Sequence, residues 1–168
     1  MTPTLRKGLG VAAIHVAIVA SLGAKLLADR ATRPRVWART VPIDPNLPIR
    51  GRYLRLGVEA VAGPGVEPGQ NRPDEFYLGV ALSEREGQLF ATPASDRRVM
   101  GHVVYRDSER IVRLDEPVAY FIPEHLQDPS RQQPGEELWV EVTIPRAGPP
   151  RPIRLGVKKN GVLTPLDD

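Results

Sequence analysis

The 168-residue chain contains no cysteine, and its histidines number three, at positions 15, 102 and 125. Without thiols there is no disulfide and no thiolate nucleophile, and little from which to build a structural zinc site. The familiar catalytic and phosphate-binding signatures are missing too. There is no G-x-S-x-G, no H-E-x-x-H, no P-loop and no G-x-G-x-x-G. No catalytic residue, cofactor or metal ligand is therefore assigned from the sequence. Lysine is also scarce, four against nineteen arginines, which with 18 prolines is explained by coding bias as readily as by function.

The formal net charge is +3, but it is unevenly spread. Residues 1–39 hold seven Lys/Arg against Asp29, whereas residues 40–168 hold sixteen Lys/Arg against nineteen Asp/Glu. A nucleic-acid-binding domain is expected to be basic itself, with its charge gathered on one face. The mildly acidic main part of this chain argues against a nucleic-acid partner.

What the sequence does possess is one long apolar run. Residues 8–24, GLGVAAIHVAIVASLGA, carry no formal charge apart from the option on His15. Extended to Leu27 across Lys25, the run reaches the ~20 residues that span a bilayer core, provided Lys25 snorkels to the interface. Arg6 and Lys7 precede it, as in a signal peptide. Yet no A-x-A pair follows in residues 8–31, and the run exceeds a typical signal core. The expectation is an uncleaved span over 8–27 behind a short basic tail at 1–7. Basic residues near the span favour a cytoplasmic C-terminal flank, five against two. The short, positive N-terminal tail and the ease with which long domains translocate favour the opposite side. We expect the domain outside the cytoplasm, on a bacterial inner membrane.

At 100° per residue, Ala13, Ala17, Ala20 and Ala24 fall on one stripe of that helix. Small residues at such spacing let two helix backbones approach closely in lipid. The stripe is a candidate docking face for a membrane partner, although alanine is simply common in this span. His15 lies nearly opposite, and a neutral imidazole is the mildest ionisable group a span can carry.

Residues 28–50 read as a Pro/Arg-rich connector, since Pro34, Pro42, Pro45 and Pro48 block a long helix. Trp37, with Arg33, Arg35 and Arg39, is placed to let this connector touch lipid phosphates. Val41-Pro42-Ile43 reads as a short strand entering a turn at Asp44-Pro45, with the Asp44 carboxylate capping backbone amides.

From Gly51 onward the pattern is of eight or so short strands separated by Gly/Pro loops. Leu54, Leu56, Val58 and Ala60 share one face of a strand running from Tyr53; Tyr53, Arg55 and Glu59 share the other. Tyr53 and Arg55 either form an exposed recognition surface or cover a second layer of core, and packing is the favoured reading. Further strands are expected at 76–83, 89–92, 99–105, 110–114, 118–122 and 138–144. A final pair at 152–158 and 162–164 joins through Asn160-Gly161, the strongest hairpin signal in the chain. His102 is expected on a solvent-facing side, and Glu124–Arg131 as one or two turns of helix. The fold class is mainly β: an antiparallel sandwich or barrel-like domain, residues 51–168, behind one N-terminal transmembrane helix.

The segment Val41–Val58, VPIDPNLPIRGRYLRLGV, resembles the signature region of the GDYXXLXY family of bacterial membrane proteins. Asp44-Pro45, Gly51, Tyr53 and Leu56 match; Arg52 stands where the family has Asp, and Val58 where it has the last Tyr. The block around Tyr120, Pro123 and Glu124 and the closing strands from Leu138 are similar as well. The resemblance spans most of residues 8–166 in the same order. It implies a single-span envelope protein of no established activity, commonly encoded beside a multi-span membrane protein.

Two functions compete at this stage. One is a non-catalytic binding or assembly module, with the lipid bilayer and a multi-span membrane protein as partners. The other is a hydrolase of an envelope polymer using Asp44, Glu124 or His125 as acid/base groups. A small-ligand binding module is a third option.

Overall fold

The architecture is that of a computed structural model, which describes residues 3–43, 53–67, 77–96, 98–122, 129 and 133–166. The chain divides into two compact units, residues 1–33 and 34–168.

The first unit is a single helix, α1 (Pro3–Thr32). Its stretch Lys7–Thr32, 26 residues, is long and apolar enough to cross a membrane, and none of the apolar window is buried. At 1.5 Å per residue it measures about 39 Å, more than the ~30 Å hydrocarbon core. Its polar side chains turn back onto the helix's own backbone. His15 Nδ1 lies 2.8 Å from the Val11 carbonyl, Ser21 Oγ donates to the Ile18 carbonyl, and Thr32 Oγ1 donates to the Ala28 carbonyl. Each bond satisfies a polar group that apolar surroundings would otherwise penalise.

The second unit is mainly β. Its strands are β1 (Arg35–Ile43), β2 (Tyr53–Ala62), β3 (Tyr77–Arg85), β4 (Gln88–Pro93) and β5 (Met100–Arg106). They continue as β6 (Glu109–Leu114), β7 (Val118–Phe121), β8 (Glu136–Thr143), β9 (Arg151–Lys159) and β10 (Val162–Pro165). Strands β1, β4, β3, β5, β6 and β2 close in that order into a six-stranded barrel. From β1 the sheet continues outward through β8, β9 and β10, while β7 pairs with the first residues of β2.

Turn chemistry and alternation explain most of these elements. Glu86-Gly87, Asp107-Ser108 and Asn160-Gly161 all have positive φ at both positions, the requirement of the tight turn that matches strand twist. They close the hairpins β3–β4, β5–β6 and β9–β10. The in-phase residues of β2, Leu54, Leu56, Val58 and Ala60, are all buried. Facing them are Val103, Val112 and Leu114 from β5–β6 and Leu138, Val140 and Val142 from β8.

Two features depart from the sequence reading. The barrel is not wholly antiparallel: β4 makes short parallel contacts with β1 (Trp37↔Gln88) and with β2 (Val61↔Phe90, Ala62↔Ala91). The stretch 28–50 is no connector over its described part. Residues 28–32 finish α1, and Arg35–Ile43 form a strand paired with both β8 and β2. Pro34 stops the helix and Pro42 lies near the strand's end, so the two prolines bracket β1 instead of breaking it. Val36, Ala38 and Thr40 point to the core and Trp37 and Arg39 away from it, a period of two masked by the surrounding arginines.

Candidate functional site

A concavity lined by residues of several strands lies where β1 and β2 part. These strands pair from Ile43↔Arg55 to Arg39↔Glu59; beyond that point the end of β4 enters between them. The outward face of the sheet there forms a cleft of about 270 Å³. β1 contributes Trp37 and Arg39, and β2 contributes Glu59 and Val61. The β5–β6 hairpin contributes Arg106, Glu109 and Ile111, and β8–β9 contributes Glu137, Trp139 and Lys158.

Register brings these side chains together. A single cross-strand row runs Gly156–Trp139–Arg39–Glu59–Arg113–His102–Tyr77 over seven strands. Directly opposed side chains are the unit of sheet stabilisation, and this row alternates charge through Arg39, Glu59 and Arg113.

Glu59 is the electrostatic centre. It belongs to the outward set of β2, yet it is only 4% exposed, because two guanidinium groups lie over it. Arg113 donates through Nη2 to Oε1 at 2.8 Å, and Arg106 Nη2 reaches the same oxygen at 3.4 Å. Oε2 is buried with no hydrogen-bond partner; Arg106 Nη1 stands 3.3 Å away, an ion-pair distance without hydrogen-bond alignment.

Around the tryptophans the carboxylates are likewise engaged. Glu137 takes Arg39 Nη2 at 2.7 Å on one oxygen and the Trp139 indole N–H at 3.1 Å on the other. Lys158 Nζ sits 4.7 Å from the centre of the Trp139 ring, and the Arg154 guanidinium 5.4 Å from that of Trp37. Arg154 also donates to Glu141 at 2.8 Å. These cation–π contacts orient both indoles. Trp37 lies over Gly156, where an added Cβ would come within 2.9 Å of its Cζ3.

A second polar pair lies further along the same row. His102 Nδ1 is 2.8 Å from Asp115 Oδ1, and its ring meets Tyr77 edge-on at 5.8 Å. His102, expected on a solvent-facing side, lies on the outward face and is partly covered by these two neighbours. Among the described residues no cluster of His, Asp and Glu could hold a metal ion.

The sequence-derived positions fare differently. Leu56 is fully buried core. Tyr53 and Tyr120 lie on the paired ends of β2 and β7, where Tyr53 stacks edge-on with Phe121 at 5.2 Å. Tyr53 is nonetheless 62% exposed and Arg55 is exposed, so the expected second layer of core over them is corrected to an open surface. Ala13, Ala17, Ala20 and Ala24 are exposed along α1. Asp44, Pro45, Gly51, Pro123, Glu124 and His125 lie outside the described residues, as does the helix expected at Glu124–Arg131 apart from Pro129. Of the residues expected near lipid phosphates, Trp37 packs over Gly156, Arg39 binds Glu137 at 2.7 Å, and Arg33 pairs with Asp29 at 3.3 Å.

Sequence reasoning missed Trp37, Trp139, Arg39 and Arg106 as cleft residues. One signal was available: both tryptophans of the chain occupy the out-of-phase positions of alternating strands. Comparison with protein-family models, curated proteins and solved structures finds no match.

Proposed function

We propose that this chain is a single-pass, membrane-anchored module of the bacterial envelope that works by binding. In this reading α1 spans the inner membrane, the β domain stands outside the cytoplasm, and a multi-span membrane protein docks on the Ala13–Ala17–Ala20–Ala24 face. The observation that carries it is α1 itself, whose 26-residue stretch Lys7–Thr32 is long and apolar enough to span, with His15, Ser21 and Thr32 each bonded within the helix. Polar groups satisfied internally are what a lipid environment demands. The resemblance to the GDYXXLXY family supports the same reading. So does the cleft, whose carboxylates Glu59 and Glu137 are each paired with an arginine.

Three measurements test it. The chain should stay in the membrane fraction through an alkaline carbonate wash. A reporter active only outside the cytoplasm, fused after Asp168, should be active. A photo-crosslinker at Ala17 should capture a multi-span protein in native membranes, whereas one at Leu22, across the helix, should not. Release into the aqueous wash would end the proposal, and equal labelling from both positions would remove the docking face.

A further inference from the structure

The chain has two tryptophans, and both line the cleft between the β5–β6 and β8–β9 hairpins. We propose that this cleft binds an uncharged, polyhydroxylated ligand: a saccharide of one or two rings. The inference goes beyond the membrane-module reading and does not depend on it.

Charge selects the ligand class. Arg39, Arg106 and Lys158 face four carboxylates led by Glu59 and Glu137, so the lining is close to neutral with both signs interleaved. An anion or a cation would meet repulsion from half of that lining. A quaternary ammonium group, the usual guest of an aromatic cage, would compete with cations the protein already supplies, Lys158 on Trp139 and Arg154 on Trp37. A hydroxyl suffers neither conflict, because it donates and accepts at once. Neighbouring hydroxyls can donate to a carboxylate and accept from the adjoining guanidinium. The C–H face of a sugar ring meanwhile offers apolar area to an indole.

Glu59 supplies the second, independent observation. Its Oε2 is a buried carboxylate oxygen with no hydrogen-bond donor. Native proteins seldom leave such a group unsatisfied, and a missing ligand is one explanation. The cover over it is Arg106, a side chain 29% exposed at the end of β5, beside the hairpin turn. A rotation of that long side chain opens Oε2 to a ligand hydroxyl while Arg113 keeps hold of Oε1. The cleft volume of about 270 Å³ is just under the ~300 Å³ at which small-molecule sites begin, which limits the ligand to a ring or two.

The test uses the full chain in lauryldimethylamine oxide, a detergent without a sugar headgroup. Cellobiose, maltose and N-acetylated chitobiose are titrated while tryptophan emission is followed. Because both fluorophores line the cleft, emission reports on it directly. At least one sugar should give a saturable change with Kd of about 1 mM or tighter. Trp139→Phe should weaken it by about tenfold, the size of one good aromatic contact. On the unaltered chain, saturation-transfer NMR from the aromatic region should reach the sugar-ring protons, which keeps the test valid if Trp139→Phe does not fold. No saturable response to any of the three sugars overturns the proposal. So does saturable binding of tetramethylammonium or inorganic phosphate in their place, affinity unchanged in a folded Trp139→Phe, or absence of transfer.

Discussion

Glu59 on β2 and Arg113 on β6 are direct cross-strand partners, and Arg113 Nη2 lies 2.8 Å from Glu59 Oε1. The pairing turns an outward-facing carboxylate into a buried one, its side chain 2% exposed against 31% for the arginine. The barrel therefore carries a charge that its partner must hold. Breaking a buried pair is costly because the remaining charge is left uncompensated.

Arg113→Ala should lower the unfolding free energy by about 2–3 kcal/mol, at or below the low end for a buried pair because the arginine is partly solvated. Chemical denaturation of the detergent-solubilised chain measures this. Combining it with Glu59→Gln should cost clearly less than the sum of the two single changes, since both act on one interaction. Strict additivity would mean that the two side chains do not interact in solution.

Gly156 is needed for room, not for backbone freedom. A Cβ there would sit 2.9 Å from Trp37 Cζ3 and 3.1 Å from the Thr164 carbonyl oxygen. Gly156→Ala should destabilise by about 1–3 kcal/mol, the usual effect of overpacking. Adding Trp37→Phe should recover part of this and not all, because the Thr164 contact remains. Thermal melts of the three variants distinguish the two contacts.

The Asn160-Gly161 turn makes a backbone prediction. Both residues are left-handed, at φ 52° and 82°. Gly161→Ala should cost about 1–2 kcal/mol, the penalty an L-residue with a side chain carries there, although an added Cβ meets nothing. Asn160→Gly should be nearly neutral, since glycine accepts the same φ. Equal losses from the two changes would show that the turn does not set the β9–β10 register.

Glu136 sets an acid limb. Its carboxyl is held below the ordinary value of 4.5, first by the Gln133 backbone N–H and then by the Lys159 side chain. A depressed folded pKa means that the fold favours the ionised form. That contribution is complete above the unfolded value and is lost as pH falls through the lower, folded one. Glu136→Gln should therefore flatten the fall in stability below about pH 4.5, leaving the neutral-pH shape of the curve unchanged. Denaturation midpoints across an acid series provide the measurement, and identical slopes for the two proteins would contradict it.

Much of the barrel could be read from residues alone. The β2 alternation Leu54–Ala60, the Asn160-Gly161 hairpin and the β5–β6 pair are all local signals, each completed within about fifteen residues. β1 was not legible in that way. Its core side is Val36, Ala38 and Thr40, two of them small or polar, set among arginines and bracketed by prolines. Only burial against β8 and β2 makes that pattern a strand. The cleft was hidden for the same reason: Trp37, Glu59, Arg106 and Trp139 are separated by 22 to 47 residues, and no motif spacing connects them.

By itself, the sequence determined the apolar helix, the β class, the Asn160-Gly161 turn and most of the core-facing positions. Those depend on hydrophobic period and on φ preferences, which act between near neighbours. The tertiary structure alone decided that the barrel closes through β4, that Glu59 is buried, and that the two tryptophans share a cleft. Strand register and sheet curvature place outward-facing residues side by side, and both are properties of strands brought together from distant parts of the chain.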